Sequence, residues 1–262
     1  MTFDTRTVHE IRDIEFGHSS SILRLLSPWL RRHYATEMTA EGQFGIRSLE
    51  VYMERLRLIG FCGMDDVLDC GCGIGQWTLA LSLLNKHVCG CDIDSERLLL
   101  AYRLAEQNDV SNIEYRWADM CALPYDNEQF DAVFCYGALM FADVPEALAE
   151  FARVLRSSGV CYVCVNDLGW YLNMPRQYHP KAKYRKTALK IALKYLWGVD
   201  KHPMVLSRSR LEKMGRKAGL YIQQYGPEGT LSRIEGTGSI PRFYTETHRV
   251  YDTVVEAILA KE

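Results

Sequence analysis

The run Val67-Leu68-Asp69-Cys70-Gly71-Cys72-Gly73-Ile74-Gly75 is where this sequence first offers chemistry. An apolar strand-like segment enters a glycine-rich turn that opens onto an amphipathic stretch. Glycines admit dihedrals closed to other residues and let a ligand approach the backbone closely, and the helix that follows begins with unpaired N–H groups. The same device serves dinucleotides, but the details here differ. The dinucleotide fingerprint takes Gly or Ala at its sixth position, where this chain has Gln76, and Asp69 stands two residues before the first glycine. A carboxylate there repels a pyrophosphate and suits a ligand that carries an ammonium group. Asp92, 21 residues after Gly71, ends the next strand-like run, where an acid accepts hydrogen bonds from both hydroxyls of a ribose. Asp94 beside it suits the plainer role of a helix cap. In Ala118-Asp119-Met120, the acid suits an adenine amino group and the thioether suits the face of the ring.

The elements that must position these residues follow from periodicity. Strands are expected at 66–70, 88–91, 113–117, 132–136, 160–165 and 221–225. Helices are expected at 76–84, from Ser95 as a cap to 107, at 145–155 with Pro145 in the first turn, and at 209–218. Alternation of this kind makes βα units and a mostly parallel sheet. Residues 1–60 read as an N-terminal helical cap, with helices around 22–30 and 46–59, and 61–262 as the α/β core. Within the core, 167–206 is too long for an ordinary connection and reads as a lid-like insertion. A turn-rich piece at 226–241 leads into an expected C-terminal helix ending at Ala260. No seventh strand is evident.

Composition bounds the alternatives. With 262 residues, 48% of them hydrophobic and 24% charged, the chain can bury a substantial core without a staple. A net charge of -2 excludes a generally basic nucleic-acid binder. Seven of the nine cysteines, Cys70, Cys72, Cys89, Cys91, Cys135, Cys161 and Cys164, lie in or beside strand-like runs and read as small buried hydrophobes. Cys161 and Cys164 have zinc-like spacing, but an i, i+3 pair on a strand points to opposite faces, so no metal site is expected. The odd cysteine count, a charged N-terminus and the lack of a long apolar run lead to the expectation of a soluble, cytoplasmic protein without a membrane span.

From Val67 to Val165 the chain resembles the class I S-adenosylmethionine (SAM)-dependent methyltransferases, in particular those acting on small molecules. Besides the three acids, Phe130-Asp131-Ala132-Val133-Phe134 and Arg153-Val154-Leu155-Arg156 carry the likeness. The turn Arg156-Ser157-Ser158-Gly159 departs from it only in having serines where lysine and proline are common in that family. The resemblance implies a Rossmann-like fold and SAM as cofactor, with S-adenosylhomocysteine as the product. The methionine moiety of SAM carries the ammonium that Asp69 suits. Asp69, Gly71, Cys72, Gly73, Asp92, Ile93, Asp119, Met120 and Tyr136 are then expected to line the cofactor pocket.

The acceptor of such enzymes usually lies under N-terminal helices and late insertions. Tyr34, Phe44 and Arg47 are candidates to close over the cofactor, and Tyr34, Arg47, Trp170 and Tyr171 to touch the acceptor. From Leu168 to Val199 the insertion holds Arg176, Lys181, Lys183, Arg185, Lys186, Lys190 and Lys194 and no acid. It reads as a solvated face, as a lid drawing in an anionic acceptor, or as a membrane-surface contact. His33 and His179 are candidate bases, although positioning alone contributes roughly 7–11 kcal/mol, so a base is not required. The leading expectation is in-line methyl transfer to a small molecule. The alternative is a cyclase or lyase that uses the aminocarboxypropyl chain of SAM and releases methylthioadenosine. Tyr136-Gly137-Ala138-Leu139 lacks the Asn-Pro-Pro-Tyr-like tetrapeptide of nucleic-acid methyltransferases, so no nucleic-acid partner is expected.

Overall fold

Short apolar runs pair into a sheet because both of their faces can be buried, which is what parallel strands between helices require. The computed structural model describes residues 49–177, 182–199, 204–234, 243, 247–248 and 251–261. In chain order the elements are α1 (Leu49–Leu58), β1 (Asp66–Cys70), α2 (Gln76–Ser82), β2 (His87–Asp92), α3 (Ser95–Gln107), β3 (Ile113–Trp117) and β4 (Phe130–Tyr136). There follow a 3₁₀ turn (Leu139–Phe141), α4 (Val144–Val154), β5 (Leu155–Asn166), α5 (Leu168–Gln177), α6 (Ala182–Leu196), α7 (Arg208–Lys217) and β6 (Leu220–Pro227). A two-residue pair, β7 (Thr247–His248) and β8 (Tyr251–Asp252), precedes β9 (Val254–Lys261).

The sheet has seven strands in the order β3-β2-β1-β4-β5-β9-β6. The pairs among β1 to β5 are parallel, and β9 runs antiparallel between β5 and β6. Strand order reverses between β1 and β4. At such a switch point the loops leave in opposite directions and open a crevice at the carboxyl ends of the strands.

Alternation along the strands divides the core in two. Cys161, Val163 and Val165 of β5 join one cluster with Leu148 and Phe151 of α4 and Leu211 of α7. Tyr162 and Cys164 join the other with Tyr52 and Leu56 of α1, Trp77 of α2 and Ala192 of α6. Cys161 and Cys164 thus occupy opposite faces. The cysteines of β1, β2, β4 and β5 and Cys72 of the turn after β1 are buried free thiols, and burial pushes the thiols of Cys70, Cys72, Cys135 and Cys164 well above the ordinary range.

Two sequence expectations give way. The C-terminal segment is the strand β9, not a helix. A short apolar run does not distinguish the two by period, and Val254, Val255 and Ile258 favour the pleated slot between β5 and β6. Glu256 decides the matter. Fully buried, it pairs with Arg55 of α1 and accepts hydrogen bonds from Tyr162 Oη at 2.7 Å and from Thr230 N and Leu231 N at 3.0 and 2.7 Å. Of the two capping candidates, Asp94 and Ser95, the cap of α3 is Asp94, because its side chain accepts from the N–H groups of Glu96 and Arg97. Pro145 lies in the first turn of α4, as expected, behind an Asp143 cap.

Candidate functional site

The carboxyl ends of β1, β2, β3 and β4 bring most of the singled-out residues together. Gly71 takes φ +77°, and a Cβ built on it would stand 2.4 Å from Ala138 Cβ and 3.4 Å from Met120 Cε. The β1 and β4 turns therefore touch through the missing side chain, and any larger residue pushes them apart. Gly75 forms the N-cap of α2 at φ 84°, ψ 10°, with the α3 backbone at Ala101 2.9 Å from where a Cβ would lie. The turn is fastened to β2, since Gly71 N and Cys72 N both donate to Cys91 O, at 2.8 and 2.9 Å.

Asp92 extends the same fastening. Its Oδ2 accepts from Gly73 N at 2.8 Å and its Oδ1 from Asp94 N at 2.9 Å. Each carboxylate oxygen keeps a second lone-pair site, so two hydroxyl donors can be accepted without breaking the loop. Ala118 N donates to Asp92 O at 3.1 Å, which sets the β3 turn beside the β2 end. Asp119 there is exposed and accepts from Cys121 N at 2.9 Å. Ile93 is 61% exposed, its carbonyl held by Trp117 Nε1 at 2.7 Å, and Met120 is half-buried. Two carboxylates and two apolar side chains thus border one crevice. This acceptor and apolar set fits a nucleoside, with acceptors for hydroxyls and an amine and greasy groups for a ring.

Asp69 behaves differently. Only 2% exposed, it accepts a hydrogen bond from Thr78 Oγ1 at 2.6 Å. Burial pushes its carboxyl up to about 7, the Thr78 hydroxyl opposing and the nearby Asp92 charge assisting the rise. It is therefore poised between protonated and charged forms near neutrality, and an approaching cation would favour the charged form.

Tyr136 ends β4, and its hydroxyl donates to Glu228 Oε1 at 3.2 Å. Its ring lies 4.8 Å from that of Trp77 and 5.9 Å from that of Phe243. Glu228, 1% exposed, also accepts from Phe243 N at 3.1 Å. Trp170 and Tyr171, expected against an acceptor, are core side chains at 8% and 2% exposure. Tyr171 Oη donates to Met204 O at 3.1 Å, and burial pushes its phenol up to about 12. Their place at the start of α5 fixes the insertion to the sheet, a role that apolar periodicity alone does not separate from ligand contact. His33, Tyr34, Phe44, Arg47 and His179 lie outside the described residues.

Thr78, Trp77 and Glu228 were not legible as site residues. Thr78 had a local signal, a hydroxyl in the first turn of the helix after the glycine turn. Glu228 had none, because its partner Tyr136 is 92 positions away.

The fold is a doubly wound sheet with its switch point between β1 and β4, and comparison with known proteins says what it resembles. Residues 67–159 match a family model described as a methyltransferase domain. An uncharacterized methyltransferase, YcgJ, of Bacillus subtilis is 35% identical over 94 residues, 36% of this chain and 37% of that protein. The chain thus spans little more than a third of that relative. A demethylmenaquinone methyltransferase of Alkalihalophilus pseudofirmus is 27% identical over 59% of this chain and 70% of its own length. Among solved structures, a chain from the complex between the Haloferax volcanii Trm112 methyltransferase activator and a methyltransferase superposes with TM-score 0.59. It is 19% identical, with 88% of this chain and 93% of that one covered, a likeness of fold. Residues 67–159 thus resemble a methyltransferase domain, and the likeness to the solved structure is one of fold.

Proposed function

We propose that the protein transfers the methyl group of SAM to a small-molecule acceptor. The observation that carries this reading is the convergence of Asp92, Asp119, Ile93 and Met120 around a glycine turn whose Gly71 leaves room for no side chain. In this reading Asp92 accepts the ribose hydroxyls through its free lone pairs. Ile93 and Met120 flank the adenine, and Asp119 accepts from its amino group. Asp69 meets the ammonium of the methionine moiety, with Thr78 steering its carboxylate. When bound, SAM supplies a methyl group on a positively charged sulfur, an electrophile with a good leaving group.

The chain's own contribution is then alignment and exclusion of water. Tyr136, tethered by the buried Glu228 and packed on Trp77, forms a rigid wall at the end of β4 beside the glycine turn. Positioning of this kind contributes roughly 7–11 kcal/mol to a bimolecular step, enough to run methyl transfer in line without a strong base. The small-molecule acceptor is supported by relatives named for such substrates, the demethylmenaquinone methyltransferases among them.

The test incubates the purified protein with methyl-labelled SAM, with and without a small-molecule extract of the source cells, and follows every labelled product by mass spectrometry. A labelled compound formed only with extract is the expected result and identifies the acceptor. Methylthioadenosine released without extract would overturn the proposal, because SAM itself would then be the substrate.

A further inference from the structure

We infer that α6 and the turn after it form a docking face for an anionic lipid surface. The inference does not depend on the methyltransferase reading. Helix α6 turns its small residues inward. Ala188 and Ala192 are 0% and 1% exposed, and Arg210 of α7 stacks on the Tyr195 ring with 4.4 Å between guanidinium carbon and centroid. What is left outside is unusual for a solvated helix. Leu189 is 52% exposed, Leu196 57%, Trp197 71% and Val199 62%, and these are four of the ten large hydrophobic side chains exposed among the described residues. They fall within eleven consecutive positions.

Helical spacing sorts this outer face into two strips. Leu189, Leu193 and Leu196 follow one another at i, i+4 and i+7, and exposed Lys186, Lys190 and Lys194 run beside them at i, i+4 and i+8, so each set shares a side of the helix. Trp197 stands at the end where the strips meet. An apolar strip flanked by lysines, with a tryptophan at its margin, suits the headgroup boundary of a bilayer, where leucines enter the acyl region and ammonium groups remain among phosphates. Charge complementarity selects the anionic kind of surface. The stretch 168–199 carries seven basic residues and no acid in a chain of net charge -2. No helix among the described residues is long and apolar enough to cross a membrane, so the attachment lies in the plane of the surface.

A soluble polyanion such as a nucleic acid would use the lysines but leave the leucines and Trp197 without a role, and this separates the two partners. The experiment is co-sedimentation of the full chain with vesicles of phosphatidylcholine alone or mixed with phosphatidylglycerol, with binding to poly(U) measured in parallel. Binding to the anionic vesicles well above that to phosphatidylcholine is expected. Neutralising Lys186, Lys190 and Lys194 to Gln should lower it by roughly five-fold per lysine. Leu196→Ser combined with Trp197→Ser should lower it roughly ten-fold or more while leaving the melting temperature near that of the wild type, because these side chains face outward. Equal binding to both vesicle types would overturn the inference. So would anionic binding that neither variant changes, which would assign it to another surface. Lysine-dependent poly(U) binding with a Leu196/Trp197 variant that still binds vesicles normally would replace the lipid with a nucleic acid.

Discussion

Replacing Asp69 by Asn separates what its carboxyl does for the fold from what it does for a ligand. Burial raises the group from 3.8 to about 7, which corresponds to about 4 kcal/mol of differential interaction between its protonation states at about 1.4 kcal/mol per unit. In the unfolded chain the group ionises near 4. Between about pH 4 and about pH 7 the native state therefore holds the proton that the unfolded state has lost. Stability from this residue is full below the unfolded value and is lost as pH rises through the folded value, by up to about 4 kcal/mol. Asn keeps an oxygen for the Thr78 hydroxyl and carries no charge at any pH. Denaturant unfolding of both proteins from pH 5 to 8 should show the variant gaining on the wild type as pH rises, reaching a few kcal/mol above pH 7. SAM binding should move the other way. Wild-type affinity should rise with pH up to about 7, with proton release on binding at pH 6 detectable by calorimetry in two buffers. The variant should bind more weakly and without that pH dependence. A stability difference that stays flat across this range would refute the desolvation argument, and undiminished SAM affinity in the variant would refute the ammonium contact.

Three further outcomes are expected. Asp92→Ala should weaken SAM binding at least a few-fold by titration calorimetry, with circular dichroism unchanged; wild-type affinity would remove Asp92 from the ribose. Gly71→Ala combines a positive φ with a Cβ 2.4 Å from that of Ala138 and should cost roughly 1–3 kcal/mol along with most SAM binding. Adding Ala138→Gly should restore part of both losses, and no recovery would mean that the two turns do not meet as described. Glu256→Ala leaves Arg55 buried and uncompensated and should lower stability by about 3–5 kcal/mol in denaturant titration; a loss under 1 kcal/mol would mean that water reaches the pair.

Much of the site was legible because it is local. The glycine turn, Asp92 and Asp119 each sit at the end of an apolar strand-like run, and β1 and β3 fall at the expected residues, 66–70 and 113–117. Once a parallel sheet is granted, strand ends gather at one edge, so spacing along the chain becomes proximity in space. The break in rhythm over 167–206 was visible, and so was a helical pattern over 187–197 where α6 lies, although α5 and the burial of Trp170 and Tyr171 were not.

By itself the sequence determined the alternation of strands and helices, the glycine turn and the acids that border it, because side-chain period, backbone freedom and capping act over a few residues. Only the tertiary structure decided that 254–261 is a strand, that Tyr136 turns its hydroxyl to Glu228, and that α6 leaves leucines and a tryptophan outside. The partners involved, Arg55 with Glu256 and Tyr136 with Glu228, are separated by 201 and 92 positions. The burial of a charge or hydroxyl depends on which distant groups satisfy it, and no local pattern encodes that.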